Sequence, residues 1–384
     1  MSHLRYLTAG ESHGRALVGI LEGMPAGLPI KKDQIDLQLR RRQGGYGRST
    51  RMQIEQDSVE VLAGIRAGVT LGSPIALVIW NRDWANWSKH MDPWAPPPAR
   101  YHPVTVPRPG HADLPGALKY RHTDIRNVLE RASARETAMR VALGAIARQL
   151  LEYFGIQIAS HVVQIHTVRA QSDPSPLSAA ELTARADASP VRCLDPHAQR
   201  EMIACIDRAQ AEGNTVGGIF EVIATNVPVG LGSYVHWDRK LDGRIAQAMA
   251  SLPAIKAVEI GLGVESAACW GSECHDEIFY EESRGLYRKT NRAGGLEGGV
   301  TNGERLIVRV AMKPLSTLRR PLHSVDMHSK SPVKAHVERS DVCAVPAASV
   351  IGEALLALVL ADAFLEKYGG DSIAEIAERY PHKI

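Results

Sequence analysis

Apolar residues recur at spacings of three and four through "SARETAMRVALGAIARQLLEYFG". Met139, Leu143, Ile146, Leu150 and Phe154 fall on one stripe, which predicts a helix from Ser133 to a stop at Gly155. Ser133 and Glu136 have the spacing of a capping box at its start. A second helix is predicted over "DRKLDGRIAQAMASL", from a cap at Asp238 to the residue before Pro253. A third, over 345–368, is apolar on nearly all sides, so it is expected to be buried between layers. Short β-branched runs predict strands at 58–65, 74–80, 155–168, 217–228 and 305–312. Strand runs between helices, without steady βαβ alternation, point to an α+β fold with sheets packed on central helices.

The Trp- and Pro-rich stretch 81–103 is expected to be a long loop or lid, and 172–196 a surface excursion. Neither divides the chain, so a single domain over 1–384 is expected. A hydrophobic content of 45% with 23% charged residues is that of a globular protein with a sizeable core. Neither a signal peptide nor a membrane span is expected. Five cysteines without a scaffold spacing suit a reducing cytoplasm. Reading "RRRQGGYGRSTR" as an RNA-binding segment would require a wider basic surface, and 45 basic against 42 acidic residues provide little of one.

Four stretches could carry chemistry. Residues 40–51 present Arg40, Arg41, Arg42, Arg48 and Arg51 around glycines, and the planar guanidinium fork suits phosphate and carboxylate oxygens. A solvated basic loop would look the same. His13 in "AGESHG" and His111 in "RPGHAD" each sit in a turn, where a histidine can be structural or can move protons. "RASARE" places a helix start beside Arg131, a ready anion site. "NRAGGLEGGVTNGE" holds five glycines, which allow close backbone approach to a ligand or simply build turns. Glycine fingerprints for dinucleotides or nucleoside triphosphates are missing, as is a convincing metal-ligand set. The residues therefore support a site for a multiply anionic small molecule with two imidazoles at hand, and they leave the reaction open.

The same stretches, taken in order, resemble the chorismate synthase family. "AGESHG" (9–14), "RRQGGYGR" (41–48), "RPGHAD" (108–113), "RASARET" (131–137), "VGLGS" (229–233), "AIKAVEIG" (254–261), "HDE" (275–277), "NRAGGLEGGVTNG" (291–303), "MKPLST" (312–317) and "RSDVCAVPAA" (339–348) carry the similarity. The resemblance implies a β-α-β sandwich, a homotetramer, and an FMN-dependent lyase acting on 5-enolpyruvylshikimate-3-phosphate. Phosphate leaves C3 and a proton leaves C6 in an anti-1,4-elimination that gives chorismate without net redox change.

By that similarity His13 would protonate the departing phosphate, and His111 would protonate the reduced flavin. Asp341 would help remove the proton that flavin N5 takes from C6. FMN contacts would map to Arg131, Ala132, Ser133, Pro253, Ala254, Gly298, Lys313, Pro314, Leu315, Ser316, Thr317 and Arg339. Arg42 and Arg48 would hold either NADP(H) or substrate anions. Where many relatives have Gln, this chain has Pro253, which lacks an amide hydrogen and retains only a carbonyl or packing contact. No segment resembles a flavin reductase, so an external reductase would supply reduced FMN, with NADPH involved only indirectly.

Overall fold

The computed structural model describes residues 4–49, 55–338 and 340–380. Arg51 and Arg339 lie outside them. The first half contributes β1 (Arg5–Ala9), β2 (Ala16–Glu22), α1 (Lys32–Gln43), β3 (Glu60–Ala63), β4 (Ile75–Trp80) and α2 (Thr137–Tyr153). Then follow β5 (Gln157–Ile165), β6 (Val168–Arg169), α3 (Ala179–Ala188), α4 (Pro196–Ala211) and β7 (Gly218–Thr225). The chain continues through α5 (Leu241–Ala250), β8 (Ile255–Ile260), β9 (Leu306–Met312) and α6 (Val345–Tyr368). The fold is α+β, as the pattern of runs predicted.

Among the described residues the two larger sheets are antiparallel, one of four strands in the order β1-β2-β4-β3 and one of five in the order β8-β9-β7-β5-β6, beside four two-stranded hairpins. In β2, Leu17, Gly19 and Leu21 face inward while Val18 and Ile20 face out. Both faces of β2 are therefore apolar, and the period-2 signal that would reveal the β1–β2 hairpin is blurred. The four-stranded sheet packs on α2, and the five-stranded sheet packs on α6. α2 and α6 in turn pack on each other.

That placement explains the composition of α6. With helices on some sides and β5 and β7 on another, almost every face is covered, so no polar stripe is required. The helix is long and apolar enough to cross a membrane, yet 94% of its apolar window is buried inside this chain. The α2–α6 approach is close. A Cβ on Gly144 would lie 2.6 Å from both the Cβ and the carbonyl oxygen of Ala354. Although Ala is the better helix former, Gly144→Ala is expected to destabilise the protein by about 1–3 kcal/mol. Denaturant unfolding checks this, and a gain in stability would mean that the crossing has room to spare.

One buried polar cluster pins these layers. Glu353, in the middle of α6, accepts hydrogen bonds from Arg41 at 2.7 and 3.0 Å, Arg148 at 2.6 Å, Arg192 at 3.3 Å and the Ser160 hydroxyl at 2.6 Å. Burial pushes its carboxyl up, but the three guanidinium groups more than reverse this and hold it well below the ordinary carboxylate range.

Two expected caps differ. Ser133 accepts from the Arg135 amide at 3.3 Å and caps a 3₁₀ turn over Ala134–Glu136, so α2 begins only at Thr137. Glu136 pairs with Arg140, one turn further on, in place of reaching back to Ser133. Asp238 likewise bonds His236 at 2.7 Å within its own turn, and α5 starts at Leu241 without a side-chain cap. In both cases a closer local partner takes the polar group. The 172–196 stretch carries α3, which has a capping box at Ser178 and Glu181 and packs on β5. Within 81–103 the only helical turn is Trp84–Trp87.

Candidate active site

Gly10 opens the connection between β1 and β2, at φ 108°. Any Cβ there would meet the Ala16 carbonyl at 2.4 Å, so glycine is required for the sharp reversal that presents Ser12 and His13. The Asn81 amide donates to the Gly14 carbonyl at 2.8 Å and secures the loop from β4. Glu130 secures it from the other side: its carbonyl accepts the Ser12 amide at 3.0 Å, and its carboxylate accepts the His13 amide at 2.7 Å. His13 itself is buried.

His111 follows the Pro-Gly turn, and its Nδ1 lies 2.5 Å from Asp113 Oδ1. Arg108 binds the same carboxylate through Nε at 2.8 Å and Nη2 at 3.0 Å, and it donates to the Thr317 hydroxyl at 2.9 Å. Asp113 is almost fully buried. Burial raises its carboxyl, yet His111 and Arg108 together hold it well below the ordinary range. Arg108, held by the ionised Asp113, thus ties the "RPGHAD" turn to the 313–317 run.

The C-terminal turn of α1 delivers Arg42. Its Nε donates to Thr137 at 3.0 Å and its Nη2 to the Ala134 carbonyl at 2.9 Å. Nη1 has no hydrogen-bond partner among the described residues. Burial lowers the Arg42 guanidinium to about 10, with Asp57 opposing, so it remains a cation at neutral pH. Arg135 is held bidentate by Asp57 at 2.7 and 2.8 Å. Arg48 donates to Asp341 at 2.7 Å, and the Ser49 amide donates to the same carboxylate at 2.6 Å.

These segments converge on one cavity of about 480 Å³, within the usual range for small-molecule sites. His13, His111 and Asp341 all line it, as do Arg42 and Arg48. So do Ala132, Ser133, Pro253, Ala254, Lys313, Leu315, Ser316 and Thr317. Five cations (Arg42, Arg48, Arg108, Arg135, Lys313) face two carboxylates (Glu338, Asp341) in the lining. The balance favours an anionic ligand. Arg131 lies off the cavity, its guanidinium spent on the Thr8 and Gly10 carbonyls at 2.7 and 3.2 Å. Gly298 is in a separate two-stranded hairpin, and Pro314 is not in the lining.

The family model for chorismate synthase matches residues 4–365. The chain belongs to the chorismate synthase family. It is 59% identical to the chorismate synthase of Desulforudis audaxviator over 98% of this chain and 96% of that one. Against the Moorella thermoacetica chorismate synthase the identity is 58%, over 98% and 97% of the two chains. A crystal structure of a chorismate synthase superposes with a TM-score of 0.79 at 46% identity, covering 98% of this chain and 96% of that chain. With membership of the chorismate synthase family comes its activity: a lyase of the shikimate pathway, on the route to aromatic amino acids. The family is known to require reduced flavin.

Several lining residues escaped sequence reasoning. Glu338 flanks a recognised motif, and Arg108 and Arg135 sit inside two others, but nothing in their spacing marks them as cavity residues. Arg126 bridges Glu130 at 3.1 Å and Glu338 at 3.3 Å, which brings together segments 212 residues apart. Only a histidine-adjacent acid, such as Asp113 two positions after His111, carries a readable hint.

Proposed function

We propose that this chain converts 5-enolpyruvylshikimate-3-phosphate to chorismate in this cavity, with reduced FMN bound against the 313–317 run. The observation that carries the reading is the convergence of His13, His111 and Asp341, from segments far apart in sequence, on one cation-rich cavity. The residues fit such a pair of ligands. Arg42 Nη1 makes no hydrogen bond among the described residues and only a 3.8 Å ion pair with Asp57, and Lys313, Ser316 and Thr317 supply further donors.

When bound, reduced FMN supplies electron density to the substrate as phosphate leaves C3. His13 donates its proton to the departing phosphate oxygen and offsets the charge that develops there. His111, braced by Asp113 and Arg108, holds a proton toward the flavin side. Asp341, paired with Arg48, accepts the proton released from C6. The pairing also bears on the arginines. Arg48 faces Asp341 at 2.7 Å and Arg42 faces Asp57 at 3.8 Å, so both stand in the cavity as paired cations for a substrate anion or NADP(H).

The finer architecture belongs to the same reading. A sandwich of the two sheets around α2 and α6 is supported by the packing of each sheet on one of those helices. Single-domain organisation, homotetramer assembly, a cytoplasmic setting and an external flavin reductase belong to this reading and are supported by the family resemblance. Under anaerobic conditions, protein with reduced FMN is expected to release phosphate from 5-enolpyruvylshikimate-3-phosphate, and protein with oxidised FMN is not. Equal phosphate release with the two flavin states would overturn the reading.

A further inference from the structure

His13 is gripped by a single residue. Glu130 takes the His13 amide at 2.7 Å and stands 2.9 and 3.1 Å from its Nδ1, while its own carbonyl takes the preceding Ser12 amide. Both side chains are buried. On the far side of the carboxylate, Arg126 donates to Oε1 at 3.1 Å. The same guanidinium lies 4.9 Å over the Trp87 ring, and Trp87 stacks on the His13 imidazole at 4.2 Å with a 30° tilt. Carboxylate, arginine and indole therefore form a closed clamp around one imidazole.

We propose that Glu130 is a positioning residue that holds the proton of His13 on Nδ1 and leaves Nε2 to serve the cavity. An ionised carboxylate only accepts hydrogen bonds, so the ring nitrogen facing it carries hydrogen. Burial raises the Glu130 carboxyl, but the hydrogen bond and charge of His13, with help from Arg126, bring it below its ordinary range, so the ionised form prevails. When the imidazolium gives up a proton, it is the one on Nε2 that passes to the phosphate oxygen. The Nδ1 proton stays with Glu130, and the carboxylate keeps Arg126 as its counter-charge. Trp87, carried by the 81–103 segment, fixes the ring plane from above. The clamp thus selects which nitrogen reacts and in which direction it points.

The proposal rests on His13 acting as the acid, and the two can be tested apart. In histidine-labelled protein, nitrogen NMR is expected to find the neutral His13 ring protonated on Nδ1. In Glu130→Gln an amide oxygen at the Oε2 position keeps the His13 amide, so the NH₂ falls at the Oε1 position beside Nδ1, gives up the Arg126 hydrogen bond and moves the ring proton to Nε2. Turnover is then expected to fall about tenfold or more, with KM for 5-enolpyruvylshikimate-3-phosphate changing less than about threefold. Thermal melting and anaerobic binding of reduced FMN serve as folding controls. A wild-type ring protonated on Nε2 would overturn the Glu130 proposal alone, and this measurement needs no variant to fold. A Glu130→Gln protein with native turnover and native tautomer would overturn it as well. Native turnover in His13→Ala would instead remove the acid role of His13.

Discussion

His13→Ala is expected to lower turnover by about 10²-fold or more while the protein still folds and binds reduced flavin. On the proposed mechanism, loss of the imidazole removes the group that protonates the departing phosphate, and none of the cations in the cavity replaces it at neutral pH. Arg42 stays protonated there even with its guanidinium lowered to about 10. The fold should survive because the loop's own backbone is held without His13's ring: the Ser12 amide donates to the Glu130 carbonyl, and the Asn81 side chain donates to the Gly14 carbonyl. Glu130 keeps Arg126 as its partner, so no buried charge is left alone. His111→Ala should behave alike, since Asp113 retains Arg108. Single-turnover phosphate release under anaerobic conditions is the measurement. Wild-type kinetics in either folded variant would take that histidine out of the mechanism.

Replacing Glu353 with Gln is expected to destabilise the protein by about 2–4 kcal/mol, because Arg41, Arg148 and Arg192 lose their shared buried counter-charge and keep only Asp187 and Glu152. The melting temperature should fall by roughly 5 °C or more. The pH dependence carries a sign. The folded-state carboxyl lies below its ordinary 4.5, so its contribution is complete above that value and is lost as pH falls beneath it. Wild-type stability should therefore decline on acidification below about 4.5, more steeply than that of Glu353→Gln. Melting curves from neutrality down to acid check both parts. A variant with native stability at neutral pH would show that the arginines find water or other acceptors without cost.

Much of the site was legible because its chemistry is local. His13 and His111 sit in turns that glycine and proline announce, and "RRRQGGYGR" shows its guanidinium groups in one run. The clamp around His13 was not legible. Glu130 looks like any acid preceding an arginine, and its partner lies 117 residues away. Arg131 offers the opposite lesson. The family motif makes it a cation for the flavin, whereas in the folded chain its Nη1 and Nη2 donate to the backbone carbonyls of β1 and its turn, off the cavity lining. The β1–β2 hairpin escaped because Val18 and Ile20 are exposed, which erased the alternation that marks a half-buried strand.

By itself, the order of apolar and polar residues determined that this chain forms an α+β core around an almost wholly apolar helix, and that anion-binding and proton-moving side chains occur in glycine-marked turns. Helical stripes and turn residues act over a few positions, so they survive without knowledge of the rest of the chain. Tertiary structure alone decided which charges meet. Arg41 and Glu353 are 312 residues apart, and Arg48 and Asp341 are 293 apart. A charged side chain carries no sequence signal of its partner; Coulomb attraction and the cost of burying an unpaired ion select that partner only once packing has brought the candidates within a few ångströms.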